Sequence, residues 1–257
     1  MNTLENKIII STRPLSVNDS IKNRLTERGA IVLDFPMIKI CAVDLTGEIK
    51  DRLQQIATYQ WIVFTSKNGV DYFFQMLNRL NIKTDELSSI KIAVVGKMTS
   101  EEVLKNNCRP HLISSGNTSA DLLKELVEKI KPSEKVLLAL GELAEDTFEK
   151  GLVNSGKITR INVYKTVQPD MISTEIIERI KKDNYHIILF TSPSGVQYFN
   201  KIMSDNKIIV DFRTACIGVT TEKAMLKNNC KPLFVSQRSN GETFVNELER
   251  FFNNTKN

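Results

Sequence analysis

Histidine is almost missing from this chain, with two residues, His111 and His186, among 257. One follows a helix-like segment and the other opens a strand-like one. At such unrelated places they assemble no zinc site. The four cysteines, Cys41, Cys108, Cys216 and Cys230, make no CxxC pair. Cys108 and Cys230 each follow a helical segment just ahead of a proline, and read as small apolar fillers rather than disulfide or metal partners. Neither GxGxxG nor GxxxxGK with Ser or Thr occurs, so no nucleotide phosphate is signalled. No Ser/His/Asp set or Cys/His pair stands out. Glycine and proline are sparse at 11 and 7 against 41% apolar residues, which excludes a disordered or collagen-like chain. No run approaches the roughly 18–20 apolar residues of a membrane span. The opening, MNTLENKIIISTRP, lacks a basic stretch followed by a long apolar one, so no secretory signal is expected. These absences lead us to expect a soluble, cytoplasmic chain. The net charge of +5 is spread along the sequence. That is too mild for a nucleic-acid arm and suits a polyanionic small molecule.

What the chain does have is a repeat. Residues 61–76, WIVFTSKNGVDYFFQM, return as 187–202, IILFTSPSGVQYFNKI. Residues 93–110, AVVGKMTSEEVLKNNCRP, return as 215–232, ACIGVTTEKAMLKNNCKP. A third pair is KIIIST at 7–12 and KVLLAL at 135–140, each followed by a helical pattern, a glycine (Gly29, Gly156) and an extended run (30–41, 157–168). A period this long means two like domains rather than a solenoid. The length allows two of about 100–130 residues each.

The pattern along the chain alternates. Strands are expected at 7–12, 61–65, 91–95 and 111–113, and helices at about 16–28, 46–57, 67–80, 99–106 and 118–130. Ile21, Leu25 and Arg28 carry the first helical spacing, and Gly29 stops it. Alternating strand and helix gives an α/β class with parallel crossovers. With the three repeated units named A, B and C, the order is A, B, C, A′, B′, C′. Duplication alone leaves open whether A packs with its own B and C or with B′ and C′. Pro36 and Pro169 mark the two extended runs as hinge-like, which favours two crossings and one discontinuous domain.

Each repeated strand ends in hydroxyl residues ahead of a helix. Ser66 precedes KNGVDYFF, and Ser192 precedes PSGVQYFN with Pro193 suited to a first helical position. Thr99 is expected to open a helix with Glu102 completing a capping box, and Thr221 holds the equivalent place. Thr12 and Arg13 follow the first strand. Plain capping, worth about 1 kcal/mol each, describes these residues locally. The same positions also serve function, because in an open parallel sheet all strand ends face one crevice. Helix N-termini there offer free N–H groups and partial positive charge to carboxylates or phosphates. Two such domains facing one another would make a cleft lined by anion-binding helix ends. Tyr164, in INVYKTV on the second extended run, is the remaining candidate. Taken alone, such a tyrosine is a filler more often than a catalyst. Asp19, Asp51 and Glu149 read as a solvated face.

STRP at 11–14, FTSKNGV at 64–70, VGKMT at 95–99, VYKT at 163–166, FTSPSGV at 190–196 and IGVTT at 217–221, with Lys231-Pro232 beyond, together resemble the uroporphyrinogen-III synthase family. Each motif is weak alone, but six in order on a duplicated frame are specific, and the resemblance covers essentially the whole chain. It implies two flavodoxin-like, doubly wound parallel-sheet domains joined by a two-stranded antiparallel linker. Residues 1–37 and 169–257 would form one domain, 42–162 the other, and about 34–41 and 161–168 the linker strands. The implied reaction is closure of hydroxymethylbilane, an octacarboxylate linear tetrapyrrole, to uroporphyrinogen III with loss of water and inversion of ring D. The implied route passes through an azafulvene cation and a spiro intermediate, with no cofactor and no metal. The resemblance assigns Tyr164, Thr99 and Thr221 to catalysis. It assigns Thr12, Arg13, Ser66, Asn68, Gly141, Ser192, Ser194, Gly195 and Thr220 to substrate binding. A phenol with a reference pKa of ~10 is a poor acid at neutral pH, so a hydrogen-bonding tyrosine is preferred to full proton transfer.

One stretch departs from the family pattern. Many members carry basic residues after the A′ strand, where this chain has Ala139-Leu140-Gly141-Glu142 and Glu145. Expected partners are the substrate and, transiently, hydroxymethylbilane synthase, with no nucleic acid, no membrane and a monomeric state. The alternatives are a cytoplasmic two-domain ligand-binding module without catalysis, and a nucleotide-sugar transferase, for which no phosphate motif or acidic metal site is present.

Overall fold

The computed structural model describes residues 4–15, 19–236 and 241–254. In chain order the elements are β1 (Ile8–Ser11), α1 (Ser20–Glu27), β2 (Ile31–Asp34), β3 (Lys39–Ala42), α2 (Gly47–Gln54), β4 (Trp61–Phe64), α3 (Lys67–Arg79), β5 (Lys91–Val94), α4 (Gly96–Lys105), β6 (Leu112–Ile113) and α5 (Ser119–Val127). They continue with β7 (Lys135–Gly141), α6 (Thr147–Gly151), β8 (Lys157–Val167), α7 (Thr174–Lys181), β9 (Ile187–Phe190), α8 (Pro193–Asp205), β10 (Thr214–Ile217), α9 (Val219–Lys227), β11 (Phe234–Ser236) and α10 (Gly241–Asn254). Residues 16–18 of the first expected helix lie outside the described residues.

The chain forms two compact units, Met1–Lys39 with Val167–Asn257, and Ile40–Thr166. The sheet of the first unit runs β11-β10-β9-β1-β2, and that of the second runs β3-β8-β7-β4-β5-β6. β1 lies parallel between β2 and β9, and β7 lies parallel between β8 and β4. A therefore packs with B′ and C′, and A′ packs with B and C. In repeat-equivalent strands both sheets share one spatial order, the 2-1-3-4-5 arrangement of flavodoxin-like folds. The extended runs differ from the hinge segments expected around Pro36 and Pro169. β2 pairs with β1 over its whole length, and β8 pairs with β7 from Lys157 to Tyr164. Burial explains the difference, because Ile161 and Val163 fill the core of the second unit.

Each sheet is covered on both faces, so its central strands are continuous apolar runs rather than alternating ones. All four residues of WIVF in β4 and of IILF in β9 are buried. The repeat reproduces the packing on them. Phe64 meets Phe73 edge-on at 5.2 Å, and Phe190 meets Phe199 edge-on at 5.2 Å. The cysteines are free, and burial raises the thiols of Cys108, Cys230 and Cys216, the last to about 12 with smaller contributions from Glu222 and Cys230. Thiols held protonated in this way are inert packing groups.

Candidate functional site

The two sheets have their switch points between β1 and β9 and between β7 and β4, where neighbouring connections leave in opposite directions and a crevice opens at the strand ends. The residues singled out in the sequence gather at these two points and at the next strand over.

In the second unit Ser66 is the N-cap of α3, and its Oγ accepts the Gly69 N–H at 3.0 Å. The same oxygen lies 3.2 Å from the Tyr164 hydroxyl. Tyr164 reaches it because of a bulge. Leu140 pairs with Asn162 but Gly141 pairs with Tyr164, so β8 gains one residue. Strict alternation would turn Tyr164 to the face of Ile158. The bulge instead puts it beside Val163, on the face packed by α3. Gly141 makes room for it, since a Cβ there would lie 2.4 Å from Tyr164 Cζ. Asn68 stands half-buried in the first turn of α3.

Two residues that motif reading missed complete this arrangement. The ring of Tyr72 lies 5.9 Å from that of Tyr164, tilted by 31°, and its hydroxyl donates to the Ile40 carbonyl at 2.8 Å. Burial raises the Tyr72 phenol, with Cys41 and Asp71 adding to the effect. The repeat carried a signal for it, because Tyr198 occupies the same place in the second copy. Arg160 had no such signal. Its guanidinium donates to the carbonyls of Gly141, Glu142 and Ala144 at 3.0, 3.3 and 3.0 Å and pairs with Glu149 at 2.8 Å. The loop that lacks the family's basic residues is thus held by an arginine two strand positions before Asn162. Glu149, read as part of a solvated face, is Arg160's partner.

In the first unit Ser192 repeats the cap geometry, with φ −153° and ψ 149° against −153° and 153° at Ser66. It accepts the Gly195 N–H at 3.2 Å and lies 3.3 Å from the Ser194 hydroxyl. Thr12 is buried and donates to the Leu189 carbonyl at 2.7 Å, joining β1 to β9 beyond their last pair. Arg13 donates through Nε to Asp19 at 2.9 Å, and Asp19 caps α1 by accepting from Ile21 and Lys22. Asp19 is therefore a buried cap and ion-pair partner rather than part of a solvated face.

Thr99 and Thr221 correct the expectation made for them. Thr99 does not open α4, and there is no capping box with Glu102. The helix begins at Gly96, and Glu102 accepts from Lys105 at 3.0 Å and lies 3.6 Å from Lys67. Gly96 and Gly218 have φ of +72° and +83°, a left-handed turn that starts each helix about three residues earlier than the threonines would. Thr99 and Thr221 lie inside the first turns and are buried, whereas Thr220 is exposed.

Both histidines play one structural part, which their sequence positions concealed. The Nδ1 of His111 accepts the Ile92 N–H at 3.2 Å, and that of His186 accepts the Ile8 N–H at 3.0 Å. Each precedes a strand, at the sheet edge away from the switch points. Among the described residues no three His, Cys, Asp or Glu side chains converge as a metal site, and no helix is long and apolar enough to cross a membrane. A cavity of about 700 Å³ in the first unit, lined by residues such as Met203, Phe212 and Lys231, also opens at that far edge.

The chain matches known proteins over most of its length. Residues 19–246 fit the model of the family described as uroporphyrinogen-III synthase HemD. A porphyrin biosynthesis protein HemD of Ruminiclostridium josui is 28% identical over 93% of this chain and 47% of its own length. A protein of Methanocaldococcus jannaschii assigned to uroporphyrinogen-III synthase is 30% identical over 88% of this chain and 91% of its own. This chain thus spans about half of the first relative and about nine tenths of the second. Among solved structures, a mutant uroporphyrinogen III synthase of Thermus thermophilus superposes with a TM-score of 0.65, at 14% identity, over 96% of this chain and 99% of its own. The fold is thus shared with that structure, and by the match over residues 19–246 the chain belongs to the uroporphyrinogen-III synthase family.

Proposed function

We propose that this chain closes hydroxymethylbilane to uroporphyrinogen III, losing the terminal hydroxyl as water and inverting ring D, as a cyclising lyase of porphyrin biosynthesis. The observation that carries the reading is the Ser66–Tyr164 hydroxyl pair over Gly141 at the switch point of the second unit, in a chain of this family. Loss of the hydroxyl needs a proton or hydrogen-bond donor at the leaving oxygen, and the pyrrole nitrogen supplies the electron pair that expels it. The Tyr164 phenol serves as that donor. Ring D must then present its substituted carbon, so the rest of the task is orientation, which can supply several kcal/mol of a barrier by itself.

The substrate's carboxylates are held by the helix starts at Ser66, Ser192, Gly96 and Gly218, the last two with Thr99 and Thr221 in their first turns, and by Thr12, Arg13, Asn68, Ser194, Gly195 and Thr220 beside them. Backbone N–H groups at such ends survive side-chain deletion, and each exposed contact is worth only about 0.3–1 kcal/mol. Shape control is therefore spread over many groups. The enzyme acts as a cytoplasmic monomer, with transient contact to hydroxymethylbilane synthase shortening the exposure of an unstable substrate. A coupled assay with that synthase, separating isomers I and III of the product, tests the reading. Isomer III above the uncatalysed background supports it, and isomer I alone overturns it.

A further inference from the structure

Ser66 and Ser192 are the same residue in two copies of one motif. Both cap a helix at the end of a fully buried strand, with backbone angles that agree within a few degrees. Their hydroxyls differ in what they meet. Ser192 lies 3.3 Å from Ser194 on its own helix, whereas Ser66 lies 3.2 Å from Tyr164 on β8, reached across the bulge. A hydroxyl has one proton and two acceptor sites. At Ser66 one acceptor site is filled by the Gly69 N–H at 3.0 Å. Were Tyr164 to donate to Ser66, the phenolic proton would be consumed inside the protein and the serine proton left without a described acceptor. In the reverse direction the serine proton is spent inside the protein, and the phenolic proton is the one left over for a bound substrate.

We infer that Ser66 is a positioning residue for catalysis. Its hydroxyl donates to Tyr164 Oη, fixing the phenol and leaving the Tyr164 proton directed to substrate. The chain from Gly69 N–H through Ser66 Oγ–H to Tyr164 Oη–H points every donor the same way, and such chains strengthen their last member. Helix α3 thereby links its capped N-terminus to the reacting group. Tyr72, anchored on the Ile40 carbonyl, packs its ring against that of Tyr164. Ser192, whose hydroxyl meets Ser194 rather than a tyrosine, keeps only the capping half of this role.

This inference rests on the proposed synthase reading, and its test separates the two. Ser66→Ala lowers kcat about ten-fold, the worth of one hydrogen bond of ordinary strength, with KM changed less than about two-fold. Ser66→Gly, which costs a helix cap little, has the same effect, and Ser66→Thr restores most of the rate. In a Tyr164→Phe background, Ser66→Ala costs less than about two-fold, because its target is gone. Equal losses in both backgrounds, or a raised KM with unchanged kcat, overturn the inference. A second readout needs no turnover. With tyrosine labelled at ¹³Cζ, the Tyr164 resonance, identified by its loss in Tyr164→Phe, moves on Ser66→Ala and on Ser66→Gly and returns in Ser66→Thr. A resonance that stays in place overturns the inference even if the chain has no synthase activity. A moving resonance in an inactive chain supports the pairing and sinks the synthase reading alone.

Discussion

Tyr164 faces α3 only because β8 carries one residue more than β7 can pair, and because Gly141 has no side chain to block the ring. The VYKT motif named the residue but held no sign of the bulge, which is a property of two strands in register. Removing the phenolic oxygen tests the residue directly. Tyr164→Phe is expected to fold with unchanged thermal stability and to lose rate by roughly 10²–10⁴-fold, the span of general-acid help. Its remaining product stays mainly isomer III, since orientation is distributed. Near-full activity would reduce Tyr164 to a packing residue, and a switch to isomer I would make it an orienting one. Arg160 is the second residue whose role arose only in three dimensions. Replacing it by Met removes the donor to the carbonyls of Glu142 and Ala144 and to the Glu149 carboxylate, and leaves the Gly141 carbonyl with the Ala144 N–H alone. Arg160→Met should destabilise the protein by about 1–3 kcal/mol, read as a lower denaturant midpoint with an unchanged slope. A midpoint at the wild-type value would show the loop to be held by its backbone alone.

At the scale of elements, the duplicated LKNNC phrase turns out to be a helix stop. Asn107 and Asn229 sit at φ +58° and +54°, and the backbone N–H groups of Cys108 and Cys230 reach back to Val103 and Met225 at 3.3 and 3.0 Å. That is the six-to-one bond of a Schellman motif, with the cysteine supplying its apolar contact. The filler role of the cysteines is legible in the sequence, whereas the left-handed asparagine leaves no signal there. Helix starts differ from the sequence expectation for a related reason. Gly96 and Gly218 take left-handed angles that begin α4 and α9 ahead of the hydroxyl residues whose pattern resembles caps. Ser66, Ser192 and Thr118 are true caps, because no left-handed glycine stands ahead of them. The same geometry gives a prediction. Lys207 occupies the left-handed position after α8 at φ +56°, while its neighbour Ile208 closes the motif onto Met203 at 2.9 Å. Lys207→Gly relieves Cβ strain and gives back part of the gain through a freer unfolded chain. The net expectation is a stabilisation of about 0.5–1 kcal/mol, seen as a melting temperature higher by about 1–4 °C. A lower one would show that Lys207 holds the turn by some contact of its side chain.

For the whole molecule, the repeat revealed two like units but not their partnership, since A fits the sheet of B and C as well as that of B′ and C′. The choice is made by long-range pairing, β1 with β9 and β7 with β4, which leaves no local signal. The first unit is consequently joined from two distant stretches of chain, and His186 stands on that seam. Its N–H donates to the Ile8 carbonyl at 2.8 Å while its ring accepts the Ile8 N–H at 3.0 Å. The acceptance requires an unprotonated Nδ1, so charging the ring breaks a bond between the two stretches. Burial lowers the His186 pKa below its ordinary value, and Lys7 and Arg213 lower it further. With the folded value depressed, the unfolded chain takes up a proton first. Stability is complete above the unfolded value of ~6.5 and falls as the pH drops through and below it. The depressed carboxylates act in a separate window. Asp121, lowered chiefly by the Thr118 hydroxyl, and Asp170, lowered chiefly by Lys39, lose their stabilisation only near and below ~3.9. Melting temperature between pH 7.5 and 5.5 should therefore decline for the wild type and decline less for His186→Asn, whose amide oxygen can accept the Ile8 N–H without titrating. Amide exchange at Ile8 should accelerate in the wild type over the same range. Parallel melting curves for the two proteins would place the acid sensitivity elsewhere than at this seam.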